Sequence, residues 1–313
     1  MKTPAAFLVM LAIAAFGAMA VVRLGRAPRM EVSPRAAPEA SLVVLAGHPA
    51  TFALAHALAD RTAWQVSAAW PEGLPWAEQG EFARQAAVEW QAAARRASAV
   101  ITLRHAARND ALFAAVRALN PRVVEIDASI ATDQQSPSVR LRVGGAGGPG
   151  FALSPTNAIR LAERIAADLS ALQPGDAAVI AENLRATKER LLRLKAKYET
   201  EFARVAAPEV VGFTDEFDDL VEDFGLQIVA RIEKDFALWS TEERSTAVER
   251  LRRTGARVSV HAFPPGRELA DLLAQAKVAP VVLDPLSRAV VAPEVYWRNL
   301  ETNLSALKAA LGP

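Results

Sequence analysis

Residues 176–205 read DAAVIAENLRATKERLLRLKAKYETEFARV, and their spacing decides the fold. Ile180, Leu184, Thr187, Leu191, Leu194, Tyr198, Phe202 and Val205 recur every three or four residues, which draws one stripe along a helix. Glu182, Arg185, Lys188, Glu189, Arg193 and Lys197 fall largely on the other side, with Glu189 and Arg193 spaced as an i,i+4 pair. Roughly thirty helical residues reach about 45 Å, more than one small domain is wide. The stretch 175–206 therefore predicts a rigid beam between two lobes. A coiled-coil arm would need a cleaner heptad over more turns.

On both sides of the beam, short β-rich runs alternate with helical spacing. Before it, strands are expected at 42–46, 65–70, 99–103 and 123–126, and helices at 51–58, 81–97 and 110–119. A further helix starts at Ser154-Pro155 with a serine cap and runs to Leu172. After the beam, strands at 210–213, 227–230, 257–260 and 281–283 alternate with helices at 215–224, 241–253, 267–276 and 295–311. Strands and helices in this alternation imply parallel sheets covered on both faces. The expected fold class is α/β, with two lobes of parallel-sheet βα units (41–174 and 207–313) bridged by one long rigid helix. The run 138–143 reads as an exposed ribbon and 144–150 as a glycine-rich mobile loop. Pro149 and the lack of a lysine argue against a phosphate cradle there.

Composition narrows the function. The 313 residues include 36 Lys plus Arg and 35 Asp plus Glu, a balance that disfavours binding to nucleic acid. Cysteine is absent, which removes disulfides, thiolate metal sites and cysteine nucleophiles, and only four histidines are present. After Lys2 the run 5–22 is uncharged and apolar, and Ala18-Met19-Ala20 supplies a small-residue cleavage site. Residues 1–26 are thus expected to be a signal peptide or a membrane anchor, with an exported body in either case. Pro28, Pro34 and Pro38 make 27–40 a tether.

Four local matches, in order along the chain, carry a resemblance. They are Phe151-Ala152-Leu153-Ser154-Pro155-Thr156-Asn157-Ala158, then Pro174 with Asn183, then VVGFTDEFDDLVEDFGL at 210–226, then Val282-Leu283-Asp284-Pro285-Leu286 with Tyr296 and Asn299. Over about 41–311 the chain resembles the periplasmic zinc- and manganese-type solute-binding proteins of ABC importers. The resemblance implies two lobes, one linking helix, a metal ion in the crevice between the lobes, and a membrane permease as partner. It also implies four ligand positions: the loop 70–76, about Gly150, Thr214 and Asp284. Only Asp284 is a ligand type there, and one carboxylate does not hold Zn²⁺, which takes four donors.

Independently of the resemblance, ligands of open parallel sheets sit outside the carboxyl ends of strands. His48, His105 and His261 stand at such ends, as do Asp127, Asp215 and Asp284. A relocated site for Zn²⁺ or Mn²⁺ built from His48, His105, His261 and Asp284 is one expectation. The alternative is that the histidines are separate polar groups, His48 capping the helix after Pro49 and His261 filling the interlobe seam. Trp64, Trp70, Trp76 and Trp90 offer a second possibility, an organic ligand at the crevice mouth. The acidic run Asp215, Glu216, Asp218, Asp219, Glu222 and Asp223 offers a third, a docking surface on an accessory or scaffold protein. No enzyme is expected. Hydrolase and nucleotide motifs are missing, and Ser259 and His261 are read as lying on opposite faces of a strand.

Overall fold

A computed structural model describes residues 42–85, 87–133, 138–139 and 148–312; the stretches read as an export segment and a tether, and most of the expected ribbon and glycine loop, lie outside the described residues. The elements in order are β1 (Leu42–Ala46), α1 (Pro49–Leu58), β2 (Trp64–Ala68), α2 (Gln79–Arg84), α3 (Val88–Arg96), β3 (Ala99–Thr102), α4 (Leu112–Leu119), β4 (Val124–Asp127), α5 (Pro155–Leu172) and α6 (Ala177–Phe202). They continue with β5 (Glu209–Gly212), α7 (Asp218–Asp223), β6 (Gln227–Arg231), α8 (Thr241–Arg253), β7 (Val258–His261), α9 (Arg267–Ala276), β8 (Ala279–Val282) and α10 (Glu294–Leu311). Two four-stranded parallel sheets result, ordered β2-β1-β3-β4 and β6-β5-β7-β8. The expected α/β class with two parallel-sheet lobes is the one observed.

Strand position explains strand composition. β3 (AVIT) and β7 (VSVH) are buried throughout, whereas the edge strands β2 (WQVSA) and β6 (QIVAR) alternate. In each sheet the strand order reverses direction between the first and third strands, β1/β3 and β5/β7. That reversal opens a crevice at the carboxyl ends of those strands.

The single helix expected over 81–97 is two helices, α2 and α3, separated by residues 85–87. Phe82 and Trp90 are eight positions apart and would stand about 12 Å apart on one helix. Both instead pack on Trp70, with ring centroids 6.1 Å and 5.5 Å away. Ending α2 at Arg84 and starting α3 at Val88 is what brings them to the same ring. The helix expected over 215–224 is shorter, six residues in α7.

The beam spans 26 residues in α6, about 39 Å of helix. Ile180, Thr187, Leu191, Tyr198 and Phe202 of the stripe are buried, and Leu184, Leu194 and Val205 pack at its margin. Asn183 is buried with them, although polar: its Nδ2 donates to the Leu58 (2.9 Å) and Asp60 (2.8 Å) carbonyls. It thereby supplies donors to the orphan carbonyls where α1 ends. One apolar core runs from Val44 and Ile101 of the first sheet through Leu161 of α5 and Leu191 of α6 to Val210 and Val258 of the second. Among the described residues no helix is long and apolar enough to cross a membrane.

Candidate functional site

The seam between the two sheets is where the resemblance puts a ligand, and the chain itself fills it. The loop after β2 meets the loop after β8 through backbone bonds. Gly73 N donates to Ala289 O (2.9 Å), Ala289 N to Leu74 O (2.9 Å) and Trp76 N to Ser287 O (2.7 Å). Pro75 and Arg288 form the antiparallel bridge at its centre, and the Arg288 guanidinium donates to Gly73 O (3.1 Å). Trp76 is thereby drawn inward. It is 6% exposed, its Nε1 donates to Asn109 Oδ1 (3.0 Å), and its ring lies edge-on to His48 at 5.7 Å.

A second closure lies at the 3₁₀ turn Pro149–Leu153 ahead of α5. A Cβ on Gly150 would stand 2.1 Å from Glu216 O and 2.8 Å from Glu216 C and Cα. These are backbone atoms with nowhere to rotate, so the position admits no side chain. Thr214 turns the segment into this place by accepting a bond from Glu216 N (3.3 Å). Nearby, Tyr296 of α10 is fully buried and its hydroxyl donates to Ala152 O (3.0 Å).

A third closure is ionic. Asp223, the last residue of α7, accepts from Ser154 Oγ (2.7 Å), Thr156 N (2.9 Å), Thr156 Oγ1 (2.5 Å) and Lys195 Nζ (2.5 Å). Burial alone would raise its pKa, but the bonds from Lys195, Thr156 and Ser154 outweigh it and hold the carboxyl below its usual value. The carboxylate sits at the N-terminus of α5, whose first turn has no acidic residue of its own, and the helix dipole also favours it there.

Against this frame the four predicted ligands separate. His48 is buried at the start of α1, where its Nδ1 accepts from Ala50 N (3.1 Å) and completes a capping box with Thr51. Since Nδ1 accepts, Nε2 carries the proton; it is enclosed on the side of the Leu286 carbonyl and makes no hydrogen bond among the described residues. Nδ1 is thus committed to the helix start. His105 is exposed in the turn after β3, placed by a bond from its own N to Asp127 Oδ2 (2.8 Å). Asp284 is exposed in the loop after β8, its backbone gripped by Asn303 (2.9 and 2.8 Å) and its Oδ1 accepting from Leu286 N (2.8 Å).

His261 does not fill the seam. It closes β7 in the second lobe, stacked on Phe213 at 4.3 Å and bonded through Nε2 to Ser259 Oγ (2.9 Å). The pairing with Ser259 corrects the expectation of opposite faces: side chains two apart on a strand share a face. Among the described residues no three His, Asp or Glu side chains form a group that could hold a metal ion. Glu216 is pushed up by burial first, then by Asp215 and Asp284, so these carboxylates repel one another without converging.

The two buried histidines predict acid sensitivity. Burial pulls His48 down to about 3 and His261 to about 4. Both lie below the unfolded value near 6.5, so the folded state resists the proton that the unfolded state takes up. Their contribution is complete above pH ~6.5 and is withdrawn as pH falls towards 4, by up to about 1.4 kcal/mol per pH unit for each group. Thermal melts should therefore drop over that window. In His48→Asn, which keeps a capping acceptor, the drop should be shallower; an unchanged slope would show that His48 is protonated without cost.

The other candidate surfaces are also used internally. Trp70 stacks on Trp90 (5.5 Å, 8° between planes), and Trp90 Nε1 donates to Ala69 O (2.6 Å). Trp64 is buried. These rings are core and seam, not a platform at a mouth. Of the acidic run, Asp218 is buried and paired with Arg231, and Asp223 forms the closure above.

The comparisons with known proteins agree with this fold. The profile of the family described as zinc-uptake complex component A, periplasmic, matches residues 35–310. The chain belongs to that family. Its members are periplasmic binding proteins that work with ABC permeases and bind metal ions. Among solved structures, a mutant of FpvC from Pseudomonas aeruginosa shares 18% identity at a TM-score of 0.69, covering 86% of this chain and 99% of its own. The Zn(II)-bound ZnuA-like domain of Streptococcus pneumoniae AdcA shares 22% identity at 0.65, covering 86% and 98%. A crystal structure of ZnuA shares 17% at 0.63, covering 87% and 100%. FpvC has also been solved with Mn²⁺ and with Ni²⁺. Among curated protein sequences none matches this chain.

Proposed function

We propose that this protein is the binding-protein component of an ABC importer of the metal-uptake class, exported by residues 1–26 and presented to a membrane permease. The observation that carries the reading is the family match over 35–310 on two parallel-sheet lobes joined by α6. The cargo on this reading is a divalent cation of the Zn²⁺ or Mn²⁺ type. Asp284 is the family ligand position that keeps a donor, and Glu216 stands within its electrostatic reach. His48, His105 and His261 join a ligand set only if the seam rearranges, since His48 is committed to α1 and Glu216 backbone covers Gly150. Loading therefore requires the 214–216 segment to lift. A beam as stiff as α6 restricts such opening to small rocking and loop movement.

A second reading has a specific observation behind it. The Gly150–Glu216 contact and the backbone stitch at 73–76 and 287–289 favour an accessory component that keeps the receptor fold without carrying a free ion. Calorimetric titration with Zn²⁺, Mn²⁺ and Ni²⁺, with metal content measured on the purified protein, separates the two. One equivalent bound below about 10 μM, lost in Asp284→Ala, supports the cation receptor. No saturable binding up to about 1 mM supports the accessory component.

A further inference from the structure

The two sheets repeat one arrangement but differ in what covers it. Each has a histidine at the carboxyl end of a strand flanking the point where strand order reverses: His48 just past β1 and His261 at the end of β7. In the first lobe Trp76 packs against the histidine. In the second a cavity of about 810 Å³ lies beside it, lined by the segments that follow β5 and β6, the end of β7 and the start of α9. That volume is in the range of small-molecule sites and far beyond what a bare ion fills.

The walls are aromatic. Phe213 and His261 are stacked at 4.3 Å with planes 21° apart, and both line the cavity, so together they offer a flat floor for a ring. Phe263 stands at the rim, 71% exposed, where a bound molecule would cover it. Phe236 already holds a cation: the Arg244 guanidinium carbon lies 4.6 Å from its ring centroid. The negative faces of such rings attract a cation, most strongly where water is displaced. His261 is 4% exposed; its Nε2 is taken by Ser259, while among the described residues nothing bonds its Nδ1.

The charges around these rings leave a negative surplus. Four carboxylates line the cavity, Glu216, Glu233, Asp235 and Glu268, against Lys234, Arg244 and Arg267. Glu268 is taken by Arg244 (2.7 Å), and it also stands in the first turn of α9, where it offsets the positive helix end. Lys234 is taken by Glu243 (2.8 Å), and Glu233 lies 3.6 Å from Arg231. Among the described residues no cation pairs with Glu216 or with Asp235, which accepts only from Ala237 N (2.9 Å). Two carboxylates thus face one guanidinium, that of Arg267. The surplus is a single negative charge beside exposed ring faces.

We propose that this cavity binds a small aromatic amine in its protonated form. The ring of the ligand lies on the Phe213–His261 floor, and its ammonium sits between the face of Phe263 and the Glu216 carboxylate. One positive charge balances the surplus, and the ring accounts for a volume that an ion leaves empty. The proposal goes beyond the importer reading: the site is built within one lobe and needs neither a metal ion nor a permease.

Calorimetric titration of the purified protein at pH 7 with tyramine, tyrosol and 4-hydroxyphenylacetate tests it, because the three share one ring and differ in carrying an ammonium, a hydroxyl or a carboxylate. The expected result is saturable binding of tyramine below about 1 mM, with tyrosol at least about fivefold weaker and the acid weakest. Phe263→Ala should weaken tyramine about tenfold, and Glu216→Gln should bring tyramine and tyrosol to nearly equal affinity. Phe263 is exposed and Glu216→Gln keeps the side-chain shape, so both variants should melt with the parent. No tyramine binding below about 1 mM, a smaller preference over tyrosol, or an acid that binds as well as the amine overturns the proposal. Unchanged tyramine affinity in Phe263→Ala, or an unaltered preference in Glu216→Gln, overturns it equally. None of these results depends on whether Zn²⁺, Mn²⁺ or Ni²⁺ binds.

Discussion

Gly150→Ala is expected to destabilise the protein by about 3 kcal/mol or more, a large value for one added methyl group. The new Cβ would lie 2.1 Å from Glu216 O, with two further backbone atoms of Glu216 at 2.8 Å. Overpacking against a side chain is relieved by rotation, but here the whole 214–216 segment has to withdraw. Gly148→Ala, whose Cβ meets only a carboxylate oxygen at 3.9 Å, is the control and should be nearly neutral. Urea unfolding followed by tryptophan fluorescence measures both. If Gly150→Ala unfolds with the parent, the second lobe does not press on this turn. The same contact bears on metal binding. The resemblance implies a histidine at about this position, and no imidazole can rise from a backbone already covered by another. A side chain at position 150 and the Glu216 backbone in its present place are therefore mutually exclusive.

Asp223→Ala should cost a similar amount, about 3 kcal/mol, because it removes the nearer counter-charge of a partly buried ammonium, which keeps only the more exposed Glu199 at 3.4 Å. Lys195 has 20% of its side chain exposed and Asp223 9%, so water replaces little of what is lost. The substitution also strips three further bonds from the start of α5, those of Ser154 Oγ, Thr156 N and Thr156 Oγ1. The pH dependence follows from the depressed pKa. The carboxylate's contribution is present above its unfolded value near 3.8 and disappears as pH falls through the lower folded value. The parent should thus lose stability at the acid extreme through Asp223, below the window in which His48 and His261 act. Chemical denaturation at pH 7 and pH 3 should show the Asp223→Ala penalty shrinking at the lower pH. A penalty that is equal at both would mean that the carboxylate charge contributes nothing.

The closures describe how the two lobes of this chain are held together. Backbone bonds at 73–76 and 287–289, the Gly150 contact and the Asp223 cluster link the lobes at three separate places. Each is made by groups of the chain itself, so the closed arrangement needs no cargo to hold it. Any ion that binds in the seam must first displace one of them.

Much of the architecture was legible in the sequence because it follows from short-range periodicity. The stripe from Ile180 to Phe202, the buried runs LVVLA and AVIT, and the Ser154-Pro155 helix start each follow from local spacing and capping chemistry. The split at residues 85–87 was not legible, since the pull on Phe82 and Trp90 comes from Trp70, which is distant in sequence. Asn183 was missed as a buried residue for the same reason, its partners being the carbonyls that end α1.

For the site, residue identity fixed the donor types available: four histidines, no cysteine, and Asp284 at a position where the resemblance implies a ligand. It could not say where those donors point. Periodicity places a side chain on a face of its own element. Whether His48 serves its own helix or a ligand depends on Leu286 and Trp76, and whether Gly150 leaves space depends on the Glu216 backbone. These partners are brought together only when the two sheets close on one core, so the number of lobes and their connection belong to the sequence, while the filled seam and the open cavity belong to the tertiary structure.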